Sequence, residues 1–125
     1  MQITTFNPFI STSHADETIT IFEELGFERR HTKEGIEIAD RDDTVIRMKD
    51  ANGFYLDVLK PEEDLPRDMV GIRMNVDDFD EAYQTLLRHG YQNAYGDETV
   101  NTKSSKAAMM RSPSGFSISI IQHIK

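Results

Sequence analysis

The sequence contains no cysteine and no tryptophan, and it has no long apolar run. Without cysteine the chain can form neither disulfides nor thiolate zinc sites, and a cysteine nucleophile is excluded as well. No stretch approaches the roughly 20 apolar residues that are needed to span a bilayer. The first residues also lack the basic and apolar regions of a signal peptide. We therefore expect a cytoplasmic protein with no membrane partner.

Basic residues are outnumbered, since 14 lysines and arginines face 22 acidic residues and give a formal net charge of −8. This balance repels phosphate backbones, so we expect no nucleic-acid partner, and a cationic ligand is weakly favoured. A chain of 125 residues, 38% of them hydrophobic, is long enough for one globular core and too short for two. We predict a single domain over residues 1–125.

The clearest helical pattern covers residues 78–89. Asp78 can cap its start, and Gly90 follows its end, where a left-handed residue commonly terminates a helix. Its apolar residues recur at intervals of three and four positions, as on one face of a helix. They are Phe79, Tyr83, Leu86 and Leu87.

An earlier segment, residues 14–25, repeats this design with Ser13 as the candidate cap and Gly26 as the stop. Residues 25–27 match residues 89–91 at an offset of 64, and residues 52–59 match residues 114–121 at an offset of 62. Two nearly equal offsets indicate a duplicated unit. The modules are predicted at about 1–60 and 69–125.

Each module is predicted to contain a strand, the helix, and then further strands in a βαβββ order, which indicates an α+β fold. The predicted strands of the first module cover residues 3–10, 27–31, 35–39, 44–49 and 53–59. The segments after the helix make three or four strands, because 44–49 merges toward 53–59. Those of the second module cover residues 70–76, 91–95, 106–111 and 115–121. A polar linker with two prolines, residues 61–66, joins the modules.

This plan resembles the vicinal oxygen chelate superfamily, which includes glyoxalases, extradiol dioxygenases, fosfomycin resistance enzymes and bleomycin resistance proteins. The likeness covers nearly the whole chain and rests on the order and spacing of three segments. They are Ile21-Phe22-Glu23-Glu24-Leu25-Gly26-Phe27, Val76-Asp77-Asp78-Phe79-Asp80 and Ser112-Pro113-Ser114-Gly115-Phe116. The resemblance implies that the two βαβββ modules form a curved mixed sheet with a central trough.

The resemblance also implies where metal ligands would stand. The family's positions correspond here to Asn7 and Asp57 in the first module, and to Gly71 and Ser119 in the second. Only Asp57 is a strong ligand, because glycine has no side chain and a neutral serine hydroxyl binds metals weakly. We therefore expect no metal and no cofactor.

Alternation along the strands separates an apolar face from a polar one. The apolar set is predicted to pack under the helices and comprises Phe54, Leu56, Val58, Val70, Ile72, Met74, Val76, Phe116, Ile118 and Ile120. The candidate ligand-binding residues on the opposite face are Asn7, Phe9, Tyr55, Asp57, Arg73, Asn75, Ser117 and Ser119. Such a mixed face suits a pocket for a small organic molecule. An open sheet face or a dimer interface would show the same alternation.

Three roles are open for Asp57: it could accept a hydrogen bond from a ligand, act as a base, or pair with Arg73. Arg73 and Arg47 could hold an anionic group with their planar donors. No nucleophile with a partner base is apparent from the spacing, so no catalytic residue is assigned.

The favoured function is a metal-free binding protein, similar to bleomycin resistance proteins, that sequesters a small organic ligand and forms a homodimer. One alternative is a metal-dependent lyase or dioxygenase of the glyoxalase type with a non-standard metal site. Another is a non-catalytic module whose polar sheet face contacts a second protein.

Overall fold

The computed structural model describes residues 1–38, 41–97, 99–101 and 104–124. Its elements, in chain order, are β1 (Ile3–Ser11), α1 (Ala15–Glu24), β2 (Glu28–Ile38), β3 (Arg41–Lys49), β4 (Tyr55–Lys60), β5 (Met69–Val76), α2 (Phe79–Arg88), β6 (Gln92–Asn93), β7 (Val100–Asn101), β8 (Ser105–Arg111) and β9 (Ser117–His123). The chain divides into two compact units, which we call the first unit (Asn7–Val70) and the second unit (Met1–Phe6 with Gly71–Lys125).

In the first unit, the strands lie in the order β2-β3-β4-β1. The hairpins β2-β3 and β3-β4 are antiparallel, and β4 pairs in parallel with the end of β1. Helix α1 connects β1 to the hairpins and packs its apolar stripe on this sheet, because burial of that face stabilises a short helix more than its propensity does. The core residues are Ala15, Ile19, Ile46, Met48, Leu56 and Val58.

Helix α1 ends as predicted, and it begins differently. Gly26 has a φ of 114° and follows the last turn, where the Phe27 amide donates to the Phe22 carbonyl at 2.9 Å. The predicted cap Ser13 is wrong: His14 occupies the N-cap position, and its side chain makes no capping hydrogen bond. The Ser13 hydroxyl instead accepts from the Leu65 amide at 2.8 Å, so it ties the linker to the first unit.

In the second unit, the first residues of β1 are followed in the sheet by β5, β9, β8 and β6, in that order. Strand β7 also pairs with β8. Strands β5 and β9 are parallel, and the remaining pairs are antiparallel. Helix α2 covers one face with a core that comprises Val76, Phe79, Ala82, Ala108, Met110, Ile118 and Ile120.

Both ends of α2 agree with the prediction. Asp78 is the N-cap, and its carboxylate accepts from the Glu81 amide at 3.0 Å. Gly90 has a φ of 85°, and the amide of Tyr91 donates to the carbonyl of Leu86 at 3.0 Å. These two contacts satisfy backbone groups that a helix end leaves without an intrahelical partner.

Residues 1–6 group with the second module and not with the first, in which the sequence placed them. The carbonyl of Gln2 accepts from the Asp77 amide at 3.1 Å, and a carboxylate oxygen of Asp77 accepts from the Gln2 amide at 2.7 Å. The Thr5 hydroxyl accepts from the Asn75 amide at 3.3 Å. A single domain over residues 1–125 stays a prediction.

Most of the predicted strands are present in the predicted order, but β7 (Val100–Asn101) was not predicted. The segments predicted at 27–31 and 35–39 form one strand through residue 38, and residue 39 lies outside the described residues. The strand predicted at 91–95 is only two residues long. The Asn93 side chain accepts from the Tyr95 amide at 2.9 Å, and Gly96 has a φ of 72°, so a turn ends the strand early.

The predicted apolar face is mostly buried inside the strands, although Ile72 is only half-buried, and it is wrong near the strand ends. Phe54 and Phe116 are 65% and 47% exposed, because β4 and β9 begin one residue later, and Val70 is 58% exposed near the start of β5. In α2, Leu87 is 40% exposed, whereas Ala82, which the predicted apolar stripe did not include, is a core residue.

Neither of the helices in the described ranges is long and apolar enough to cross a membrane.

Candidate functional site

The polar centre of the first unit consists of Asn7, Arg47 and Asp57, one residue from each of β1, β3 and β4. Strand β4 lies between the other two, and Arg47 is the direct cross-strand partner of Asp57. The Arg47 Nη1 atom donates to Asp57 Oδ2 at 3.1 Å, and Asn7 Nδ2 donates to the same oxygen at 2.8 Å. We call these three residues the Asp57 triad.

The Asp57 triad is buried. Asp57 is 0% exposed and Asn7 is 3% exposed, whereas the Arg47 side chain retains 19% exposure. The Asn7 amide is used at both ends, since Nδ2 also donates to the Pro8 carbonyl at 2.9 Å and Oδ1 lies 3.5 Å from Arg47 Nη2. A buried carboxylate of this kind is tolerated only when it is paired and hydrogen-bonded.

Tyr55 extends this centre toward the start of β4. The Arg47 guanidinium carbon lies 4.1 Å from the centroid of the Tyr55 ring, and the Lys49 ammonium lies 5.2 Å from it. Both distances allow cation–π attraction. The Tyr55 ring is therefore close to two cations, and one of them, Arg47, binds the buried Asp57 carboxylate.

Phe9 is the direct partner of Asp57 on β1 and is 0% exposed. Together with the burial of Asn7 and Asp57, this makes three of the four candidate residues in the first unit interior side chains. Only Tyr55 is half-buried.

The second unit holds the other four candidates. Strands β5 and β9 align Arg73 with Ser119, and Gly71 with Ser117. Ser117 is 3% exposed, and Arg73, Asn75 and Ser119 are half-buried.

Asn75 carries a distinct feature of this face. Its side-chain oxygen, Oδ1, is buried and has no hydrogen-bond partner among the residues that the structure describes. Buried acceptors in folded proteins almost always have a partner, and the exceptions commonly mark a bound water or ligand. The Oδ1 atom of Asn75 is therefore a candidate acceptor for a bound water or a ligand.

The residues present do not fit the superfamily's metal. In the first unit, a divalent ion on Asp57 would sit about 2 Å from an oxygen that already binds the Arg47 guanidinium, and the two cations would repel each other. In the second unit, Gly71 and Ser119 supply no charged donor. Within the described ranges, no group of three or more histidine and acidic side chains is placed to hold a metal ion.

Arg47 was considered from the sequence as an anion-binding residue, but not as the partner of Asp57. A signal was available: in a hairpin whose turn is centred on Asn52, residues equally distant from the turn pair across the strands. That rule joins Lys49 to Tyr55 and Arg47 to Asp57, as observed. The alternative partner Arg73 stays a prediction.

No family model matches the sequence, and no curated protein matches it either. Several solved structures do match. Methylmalonyl-CoA epimerase from Mycobacterium tuberculosis superposes with a TM-score of 0.69 at 15% identity, covering 98% of this chain and 90% of the epimerase. A hypothetical protein from Bacillus halodurans C-125 gives 0.69 at 13% identity, with 100% and 97% covered. This chain has the vicinal oxygen chelate fold.

A further methylmalonyl-CoA epimerase, in selenomethionine form, gives a TM-score of 0.62 at 23% identity and covers 95% of this chain and 94% of its own. Identities this low establish the fold and nothing about the reaction. The resemblance found in the sequence is thus confirmed, and so is the α+β class with its glyoxalase/bleomycin resistance-like plan. What the vicinal oxygen chelate fold does in this chain depends on its own side chains.

Proposed function

We propose that this protein binds a small organic molecule without the divalent metal of its superfamily. The observation that carries the proposal is the Asp57 triad. Asp57 is the best metal-ligand candidate, and its carboxylate already accepts hydrogen bonds from Arg47 and Asn7. The guanidinium supplies the positive charge that a metal would otherwise bring to this carboxylate.

The unsatisfied acceptor on Asn75 supports the second half of the proposal. A ligand amide, hydroxyl or ammonium group could donate to Oδ1 and remove the cost of leaving this buried atom without a partner. Structures with the same fold have been solved with small organic compounds bound, including methylmalonyl-CoA epimerases in complex with 2-nitronate-propionyl-CoA and with methylmalonyl-CoA. Those ligands belong to those proteins, and they support only the use of this fold for binding.

The test has a metal arm and a ligand arm. Elemental analysis of the purified untagged protein should find no stoichiometric metal, and Mn, Co, Ni or Zn ions should leave the melting temperature unchanged. A panel of small amines, amides and carboxylates should contain compounds that raise the melting temperature saturably, since ligands of the native state stabilise it.

The matched pair for the ligand arm is Asn75→Ala and Asn52→Ala. The first removes the unsatisfied acceptor, and the second changes an exposed asparagine in the β3-β4 turn. We expect Asn75→Ala to weaken binding of donor-bearing compounds by about tenfold, and Asn52→Ala to leave it unchanged.

The second candidate is a metal-dependent enzyme with a relocated site, which the enzyme names of the fold neighbours favour. Stoichiometric metal that is lost in Asp57→Ala would establish it and overturn the metal-free proposal. If neither metal nor any compound of the panel binds, the chain is better explained as an interaction module. Cytoplasmic location and a homodimer are further parts of the proposal, and the homodimer is checked by light scattering.

A further inference from the structure

The first unit contains a cationic surface formed by Arg47, Lys49 and Tyr55, which we call the Arg47–Lys49 surface. Arg47 and Lys49 are two residues apart on β3, so their side chains lie on the same side of the sheet. Tyr55 is the cross-strand partner of Lys49, and its ring is near both cations.

The guanidinium of Arg47 is held in place before any ligand arrives. Asp57 accepts a hydrogen bond from Nη1, and Asn7 Oδ1 is near Nη2 at 3.5 Å. The guanidinium carbon lies 4.1 Å from the centroid of the Tyr55 ring. The side chain is nevertheless 19% exposed, and Asp57 faces only part of its five N–H donors. An immobilised arginine loses little entropy on binding, so its remaining donors suit a planar carboxylate.

Lys49 adds a positive charge that no described carboxylate neutralises through an ion pair. Its cross-strand neighbour on β2 is Glu28, but the Glu28 carboxylate pairs with Arg30 at 3.6 Å and is 74% exposed. The Arg47–Lys49 surface thus carries two cations for the one buried anion, Asp57. This occurs in a chain with 22 acidic residues against 14 basic ones, where a neutralising acid would have been easy to place.

We infer that the Arg47–Lys49 surface binds a carboxylate group of a small organic ligand. The inference rests on the proposed function and adds the chemical class of its ligand. Arg47 donates from the edge that Asp57 leaves open, and Lys49 supplies the second charge-assisted hydrogen bond. The net charge of −8, which favours cationic ligands from a distance, is screened beyond about 8 Å at physiological salt, so the local charge decides at contact.

The experiment is a titration with malonate, followed by calorimetry and by backbone amide NMR shifts at low ionic strength. Malonate should bind saturably and move the amide resonances of residues 47, 49 and 55. Its uncharged analogue malonamide should not. Lys49→Met should weaken malonate binding by about tenfold, and Lys60→Met, which removes an exposed lysine at the end of β4, should change it less than about twofold.

Arg47 is tested in two backgrounds, because its removal leaves Asp57 buried without a cation. Arg47→Met alone and Arg47→Met combined with Asp57→Ser should both lose malonate binding by about tenfold or more, and the double variant avoids the uncompensated carboxylate. Arg47→Lys should fall between them and the parent, since it keeps the charge and loses the planar donors.

Three results would overturn the subsite. In the first, Lys49→Met and the Arg47 variants bind malonate as well as the parent does. In the second, the parent binds inorganic phosphate saturably but not malonate. In the third, the parent shows no saturable malonate binding. Each leaves the proposed function to its own test, because binding of amines or amides without metal would stand even if the carboxylate subsite fails.

Discussion

The two modules share a backbone plan and differ in the chemistry that it displays. Helices α1 and α2 are both ten residues long and begin 64 positions apart. In the first module Arg47 faces Asp57 across the β3-β4 hairpin, and at the same register in the second module Met109 faces Ser119. The charged pair Arg47–Asp57 of the first module thus corresponds to the uncharged pair Met109–Ser119 of the second.

The turns show the same contrast on a smaller scale. In the first module, an Asp50 carboxylate oxygen accepts from the Phe54 amide at 2.8 Å, and in the second the Ser112 hydroxyl accepts from the Phe116 amide at 3.0 Å. Each turn contains a glycine with positive φ. The features that the modules share are those that shape the backbone, whereas the side chains that meet at the hairpin centres have diverged.

The largest effect is expected from breaking the pair that only the first module has. Arg47→Met places the Met109 equivalent beside a fully buried Asp57, and should lower the free energy of unfolding by about 3 kcal/mol, since a buried carboxylate loses its cation. Urea denaturation measures this. Adding Asp57→Ser should recover most of the loss, and a double variant as unstable as the single one would show that the pair is not the cause.

The glycines that follow the two helices, Gly26 and Gly90, are expected to give the second largest effect. Gly90→Ala and Gly26→Ala both force a side chain into positive φ, at a cost of about 1 kcal/mol in the free energy of unfolding. The Gly90 variant should lose more, because its new Cβ would meet Pro113 Cγ at 3.3 Å, while nothing lies within 4 Å at Gly26. Thermal and urea unfolding of both variants test the order, and equal losses would contradict it.

The helix starts give the third test. Asp78→Ala removes a capping carboxylate and should reduce the free energy of unfolding by about 1 kcal/mol. His14→Ala should have almost no effect, because His14 makes no side-chain capping bond. If the two changes cost the same in urea denaturation, the difference between the caps has no energetic weight.

The smallest effect is expected from giving α1 a capping side chain like that of α2. His14→Asp adds a capping acceptor to α1 and should raise the free energy of unfolding by about 0.5 kcal/mol. The control is His89→Asp at the other helix's C-cap, where a negative charge faces the carbonyl end and should destabilise. A loss in His14→Asp would mean that the backbone at this position does not accept a capping side chain.

Most of the fold could be predicted from the sequence because its signals are local. Asp78, Gly26 and Gly90 mark helix ends within a few residues of where they lie, and the apolar spacing identifies which face of each helix is buried. The errors occur at element ends. Phe54 and Phe116 have the parity of core residues, but each lies in the turn before its strand begins.

The candidate site could be predicted only in part. Strand parity placed Asn7 and Asp57 on one face, and the hydrogen bond between them confirms that they meet. Parity cannot show how deeply a residue is buried, so Phe9 and Asp57 were expected to line a surface and are interior. The pairing of Arg47 with Asp57 required the hairpin register, which the turn residues contain but which alternation alone does not specify.

By itself, the sequence determined the order of most elements, the repeated plan of the two modules and the absence of cysteine chemistry, because turn residues, glycines and periodicity act over short stretches of chain. Only the tertiary structure decided that Arg47 forms the ion pair with Asp57, and that residues 1–6 group with the second module. Those outcomes depend on which strands lie side by side and in what register, and this is set by the packing of whole elements against a common core.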